Sequence, residues 1–121
     1  MSKLLVVDDE ANIRLLYSQE FSDEGYEVVT AATATEAVEQ LQAQEIDLVI
    51  LDIKLRNESG IDLLQRIVKE RHDLPVILSS AFSFYKDDFS AWLADAYVVK
   101  SSDLQELKSE IKRVLEKKGR R

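Results

Sequence analysis

Apolar residues follow two rhythms along the chain. Short runs at residues 4–7, 26–30, 48–51, 76–78 and 97–99 have strand length and are rich in β-branched side chains; LLVV and LVIL hold no polar residue at all. Between these runs the apolar positions recur three and four residues apart, the stripe of a helix lying on a core. Ile13, Leu16, Tyr17 and Phe21 form one such stripe, and Gly25 stands where its C-terminal cap is needed. Ala34, Ala37, Val38 and Leu41 form the second, with Thr33 and Glu36 at capping-box spacing. The third carries Leu64, Ile67 and Val68 and ends before Pro75. A short fourth helix is predicted around residues 87–93. The last, with Leu104, Leu107, Ile111, Val114 and Leu115, is predicted to open on the pair Ser102 and Gln105.

Five strands alternating with five helices read as repeated βαβ units, hence a doubly wound α/β domain whose parallel sheet is covered on both faces. In such sheets ligands gather beyond the carboxyl ends of the strands. The residues at those ends are Asp8-Asp9-Glu10, Asp52, Ser79-Ser80-Ala81 and Lys100. Two like charges about 4 Å apart repel by roughly 4 kcal/mol near a protein surface, so Asp8, Asp9 and Asp52 sharing a crevice calls for a cation. Carboxylates suit a hard ion that keeps several waters, and magnesium fits best. With no cysteine and a single histidine, His72, a zinc or iron site has too few ligands. Acids also favour the start of a helix, which is reading enough for Glu10. A nucleotide binder with the same sheet would need a glycine-rich phosphate loop; the loop here is acidic, and none of the three glycines lies in it.

Size and charge narrow the class further. A chain of 121 residues is one domain's worth and can bury a real core without disulfides. Its net charge of -7 argues against nucleic acid and anionic lipid as partners. No apolar run approaches the ~18 residues of a membrane span, so a cytoplasmic protein is expected.

Taken together, the acidic pair after the first strand, VILDIKLRNESG around Asp52, VILSSA and AYVVK resemble the receiver domain of two-component response regulators. The resemblance implies a flavodoxin-like sheet of order 2-1-3-4-5. A single receiver domain over residues 1–121 with no output domain is expected, either as a single-domain regulator or as a fragment of a longer chain. It implies that Asp52 accepts a phosphoryl group and that Asp8, Asp9, Asp52 and the backbone carbonyl of Lys54 hold Mg2+. Ser80 and Lys100 would contact the phosphoryl group, with Ser80 and Tyr97 forming the switch. The phosphodonor would be a sensor histidine kinase or phosphotransfer protein. A downstream protein would dock on the face of the fourth helix, fifth strand and fifth helix, and a homodimer is compatible with the pattern. Catalysis would be limited to self-phosphorylation and autodephosphorylation.

Several positions depart from the family pattern. Lys100 is followed by Ser101 where proline is usual, and Leu55-Arg56 replaces Met-Pro. A cis bond before a non-proline residue costs about 2.5–4 kcal/mol, so either the Lys100–Ser101 bond is trans or that strain is held elsewhere. Lys54 and Phe82 occupy positions that in this family flank the path of hydrolytic water, and bulky Phe82 is expected to slow dephosphorylation. The stretch AFSFYKDDFSAW holds five of the nine aromatic residues and is a candidate docking patch through Phe84 or Tyr85. His72 reads as a surface residue. Two rival functions are a degenerate receiver acting as a phosphorylation-independent protein-interaction module, and a magnesium-dependent phosphohydrolase, which would need a second acid-base carboxylate and a cap.

Overall fold

The structure, a computed structural model, describes residues 1–56, 58–81 and 93–119. In chain order the elements are β1 (Lys3–Val7), α1 (Ala11–Asp23), β2 (Glu27–Ala31), α2 (Ala34–Ala43) and β3 (Leu48–Asp52). There follow two-residue strands β4 (Lys54–Leu55) and β5 (Glu58–Ser59), then α3 (Gly60–Glu70), β6 (Val76–Ser80), β7 (Ala96–Val99) and α4 (Gln105–Gly119). Five strands form one parallel sheet of order β2-β1-β3-β6-β7. This is the expected order, with β6 and β7 as the fourth and fifth predicted strands. The small strands β4 and β5 pair antiparallel in a separate hairpin after β3.

The apolar runs are explained by burial on two sides. Every residue of β3 is buried, and its side chains alternate between two clusters. On one face Leu5, Val7, Val49, Leu51 and Leu78 meet Ala37 and Leu41 of α2 and Leu63, Leu64 and Ile67 of α3. On the other, Val6, Ile50, Ile77 and Val98 meet Tyr17 and Phe21 of α1 and Leu107, Ile111 and Val114 of α4. Full burial of each such large aliphatic side chain stabilises the fold by about 1.5–3 kcal/mol. That gain is what holds the strand ends, and so the crevice beyond them, in one register.

Helix boundaries follow local chemistry. Gly25 adopts φ +94°, a left-handed conformation that favours glycine. Its N–H donates to Ser22 O at 3.0 Å and the Tyr26 N–H to Phe21 O at 3.1 Å, closing α1. Thr33 Oγ1 accepts from the Glu36 N–H at 3.1 Å while the Glu36 carboxylate accepts from the Ala32 N–H at 2.9 Å.

Some expectations require correction. Among the described residues there are four helices; the short fourth of the five expected, around 87–93, lies outside them except for Leu93, as do Phe82, Phe84 and Tyr85. The last helix is capped by Asp103 rather than Ser102: Asp103 Oδ1 accepts from the Gln105 N–H at 3.0 Å, and Ser101 Oγ from the Asp103 N–H at 3.1 Å. The nearer carboxylate takes the donor that the capping-box spacing assigned to Ser102. Leu16, placed on the inner stripe of α1, is 39% exposed, because the helix turns Tyr17 and Phe21 to the sheet instead. Both β3 and β6 run further than the apolar pattern, taking in Asp52 and Ser79-Ser80, since the backbone ladder Asp52↔Ser79 and Ser79↔Val98 continues whatever the side chain.

Candidate functional site

Strand alternation decides which side chains meet at the carboxyl edge. Val6, Ile50, Ile77 and Val98 face the cluster shared with α1 and α4, so residues two further on, Asp8, Asp52, Ser79 and Lys100, turn to that same side. The ladder continues past β1 and β7 to keep them there: the Asp8 N–H donates to Ala31 O at 3.1 Å and the Lys100 N–H to Ser80 O at 2.6 Å. No cis peptide bond occurs among the described residues, so Lys100–Ser101 is trans.

The centre of the crevice is one ammonium between two acids. Lys100 Nζ lies 2.7 Å from Asp8 Oδ2 and 3.1 Å from Asp52 Oδ2. These carboxylate side chains are only 3% and 8% exposed and the lysine 16%, so solvent screens the contacts weakly. The remaining oxygens are held by backbone: Asp8 Oδ1 accepts from the Glu10 N–H at 2.9 Å, and Asp52 Oδ1 from the Lys54 N–H at 3.3 Å. Arg14 donates to the Asp8 carbonyl oxygen at 2.7 Å, a contact the sequence reading missed.

Burial pushes the Asp52 pKa above the ordinary carboxylate value; Lys100 opposes the shift and Asp8 adds to it. For Lys100, burial alone would lower the pKa, but bonds and charges from Asp8 and Asp52 together leave it raised. The lysine is therefore a cation at neutral pH, and the internal counter-charge of the acids.

Asp9 is half-buried beside Asp8, and oxygens of Asp8, Asp9 and Glu10 lie within 4.8 Å of one another. Asp52 is not in that set of three; Lys100 joins it to Asp8. The donors are all carboxylate oxygens, which fit a hard divalent cation and not a soft one. Lys54 is exposed at the start of the hairpin. Ser80, buried in β6, and Tyr97, half-buried in β7, belong to the opposite face, where Leu78 and Tyr97 pack together with the α2 and α3 cluster.

Gly60 begins α3 directly against the end of β3. A Cβ there would stand 2.0 Å from the Asp52 carbonyl oxygen and 2.8 Å from Ile53 Cα, so only glycine permits this approach. Its N–H donates to Ile53 O at 2.6 Å.

Residues 4–112 match the family described as the response regulator receiver domain. This chain belongs to that family. The receiver superimposes on the response regulator TrrA from Thermotoga maritima, solved in complex with Mg2+ and BeF, with a TM-score of 0.91 and 45% identity, covering 94% of this chain and 99% of that one. A structure of the histidine kinase ThkA in complex with TrrA matches with TM-score 0.89 and 45% identity, over 95% of this chain and 99% of that chain. Among curated relatives, the probable transcriptional regulator ycf27 of Cyanophora paradoxa is 38% identical over 115 residues, which are 93% of this chain and 48% of that protein. The receiver thus spans about half the length of that relative. No described helix is long and apolar enough to cross a membrane.

Proposed function

We propose that this receiver is a signalling switch that takes a phosphoryl group on Asp52 from a histidine kinase or phosphotransfer protein, in a magnesium-dependent reaction. The observation that carries the reading is a carboxylate at the end of the central strand, 7% exposed and bonded to a lysine delivered from β7. A nucleophilic oxygen of Asp52 forms a bond to phosphorus as the bond from phosphorus to the donor nitrogen or oxygen breaks, and the leaving group carries off the electron pair. Transfer of this kind needs position and charge more than acid-base chemistry.

Lys100 supplies one positive charge beside the acceptor. The Lys54 N–H holds the second Asp52 oxygen at 3.3 Å and so fixes the plane of the carboxylate. Magnesium, held by Asp8, Asp9, Asp52 and the Lys54 carbonyl, would neutralise phosphoryl oxygens during transfer. Ser80 shifts inward from the opposite face of β6 to donate a hydrogen bond to a phosphoryl oxygen, which opens space beside Tyr97, toward the face formed by the expected fourth helix, β7 and α4. That face then meets a downstream protein. Turnover is confined to the chain's own aspartate. Support comes from TrrA, a 45%-identical relative solved with Mg2+ and BeF and also with a histidine kinase.

Intact-mass spectrometry after incubation with Mg2+ and acetyl phosphate tests the proposal. Wild type should gain one phosphoryl group, and Asp52→Asn or added chelator should abolish the gain. A wild-type chain that acquires no mass would instead support the phosphorylation-independent binding module.

A further inference from the structure

A buried polar pair lies under the crevice and has no part in the chemistry above. Ser79 is 2% exposed within the otherwise apolar run VILSS, directly opposite Asp52 in the β3–β6 ladder and opposite Val98 in the β6–β7 ladder. Its side chain therefore faces α1, as those of Asp52 and Lys100 do. Its Oγ makes no hydrogen bond of normal geometry, and a buried hydroxyl left so needs an explanation. The polar group that approaches it is the hydroxyl of Tyr17 on α1, which is also within electrostatic reach of Lys100, Asp8 and Asp52. Tyr17 is 2% exposed and its ring is fixed against Phe21, centroids 5.3 Å apart. A leucine would fill that space without carrying an oxygen to the acids.

Lys100 shows what the pair can do. An ammonium has three N–H donors, and the two carboxylates account for two of them. If a metal engages those carboxylates, a long, flexible side chain loses both anchors just when it has to face the phosphoryl group. A neutral oxygen can hold it without competing for its charge.

We propose that Tyr17 and Ser79 are positioning residues, whose hydroxyls form the inner wall of the crevice and keep the Lys100 ammonium aimed at Asp52. The inference rests on the phospho-acceptor reading of Asp52 and extends it to two residues of α1 and β6.

Tyr17→Phe and Ser79→Ala in the full chain test this with two readouts. The first is the 15N signal of the Lys100 ammonium in metal-free protein, which needs no phosphorylation; it should shift and exchange faster with water in Tyr17→Phe. The second is the rate of phosphorylation by acetyl phosphate with saturating Mg2+. It should fall about five-fold, the worth of one neutral hydrogen bond, with the half-saturating Mg2+ concentration unchanged. A variant that unfolds would show itself in the melting curve, and Ser79→Ala then decides, with changes in the same direction. If wild type is phosphorylated and both readouts are unmoved in a folded variant, the positioning role is overturned alone. If wild type takes no phosphoryl group, the acceptor reading falls and the positioning role with it.

Discussion

Replacing Lys100 by methionine removes the ammonium and keeps most of the aliphatic stem, so it isolates the charge. Asp8 and Asp52 would then face each other with side chains 3% and 8% exposed and no cation between them. Taking one partner from a buried ion pair costs about 3–5 kcal/mol; the crevice opens to water at the strand ends, which favours the lower figure. For 121 residues the unfolding entropy of ~2.1 cal/mol/K per residue converts about 3 kcal/mol into a fall in Tm of about 12 °C. Thermal unfolding followed by circular dichroism in chelator at pH 7 measures it. The deficit should shrink at pH 5, where unpaired buried acids can take up protons. Mg2+ should then raise the Tm of Lys100→Met more than that of wild type, because the ion no longer displaces an ammonium; ten-fold tighter binding adds about 1.4 kcal/mol. A metal-free Tm within about 2 °C of wild type, less than ~1 kcal/mol, would refute the claim that Lys100 neutralises the acids. An equal response to Mg2+ in the two proteins would refute the competition.

Asp52→Asn should raise the Tm at neutral pH by a few degrees. The native pKa of Asp52 lies above the ordinary 3.8, so between the two values the folded chain binds the proton more tightly than the unfolded one, and stability falls as pH rises through that window. The gain from asparagine should therefore shrink as pH falls through that window and be gone by about pH 4, and a gain independent of pH would sink the assignment. Gly60→Ala meets backbone 2.0 Å away with no side chain to yield; it should cost about 3 kcal/mol or more. Urea unfolding would read that cost, and a variant as stable as wild type would show that α3 does not press on β3.

Much of this was legible before any coordinates because burial on two faces leaves a plain mark. LVIL can only be a central strand, and an acid at the end of such a strand belongs to a crevice. The alternation that buries Val6 and Ile50 also aims Asp8 and Asp52, so their convergence could be read from spacing alone. What could not be read depends on distances between strands distant in sequence. Lys100 bonds Asp8 more closely than Asp52, and nothing local to AYVVK says so. Tyr17 looked like one more apolar position on a helix; the signal was a hydroxyl on a buried stripe together with Ser79 inside VILSS, and it gains meaning only through the β3–β6 register. The choice of Asp103 over Ser102 as cap turned on one residue of backbone geometry that propensity does not resolve.

Lys100 leaves the sheet at its rim, from β7, and reaches over β6 and β3 to the acid that follows β1. It is a clasp thrown across four strands, fastened at one end to the best-anchored part of the molecule and at the other to an edge. Should a new anion on Asp52 draw the clasp open, β1 and β3 have nowhere to go, with packed side chains above and below and strands to either side. Among the described residues, β7 is gripped by a neighbouring strand on one flank only. The slack must appear at that border, and the route by which news of the event leaves the molecule is set by where the strap is sewn on.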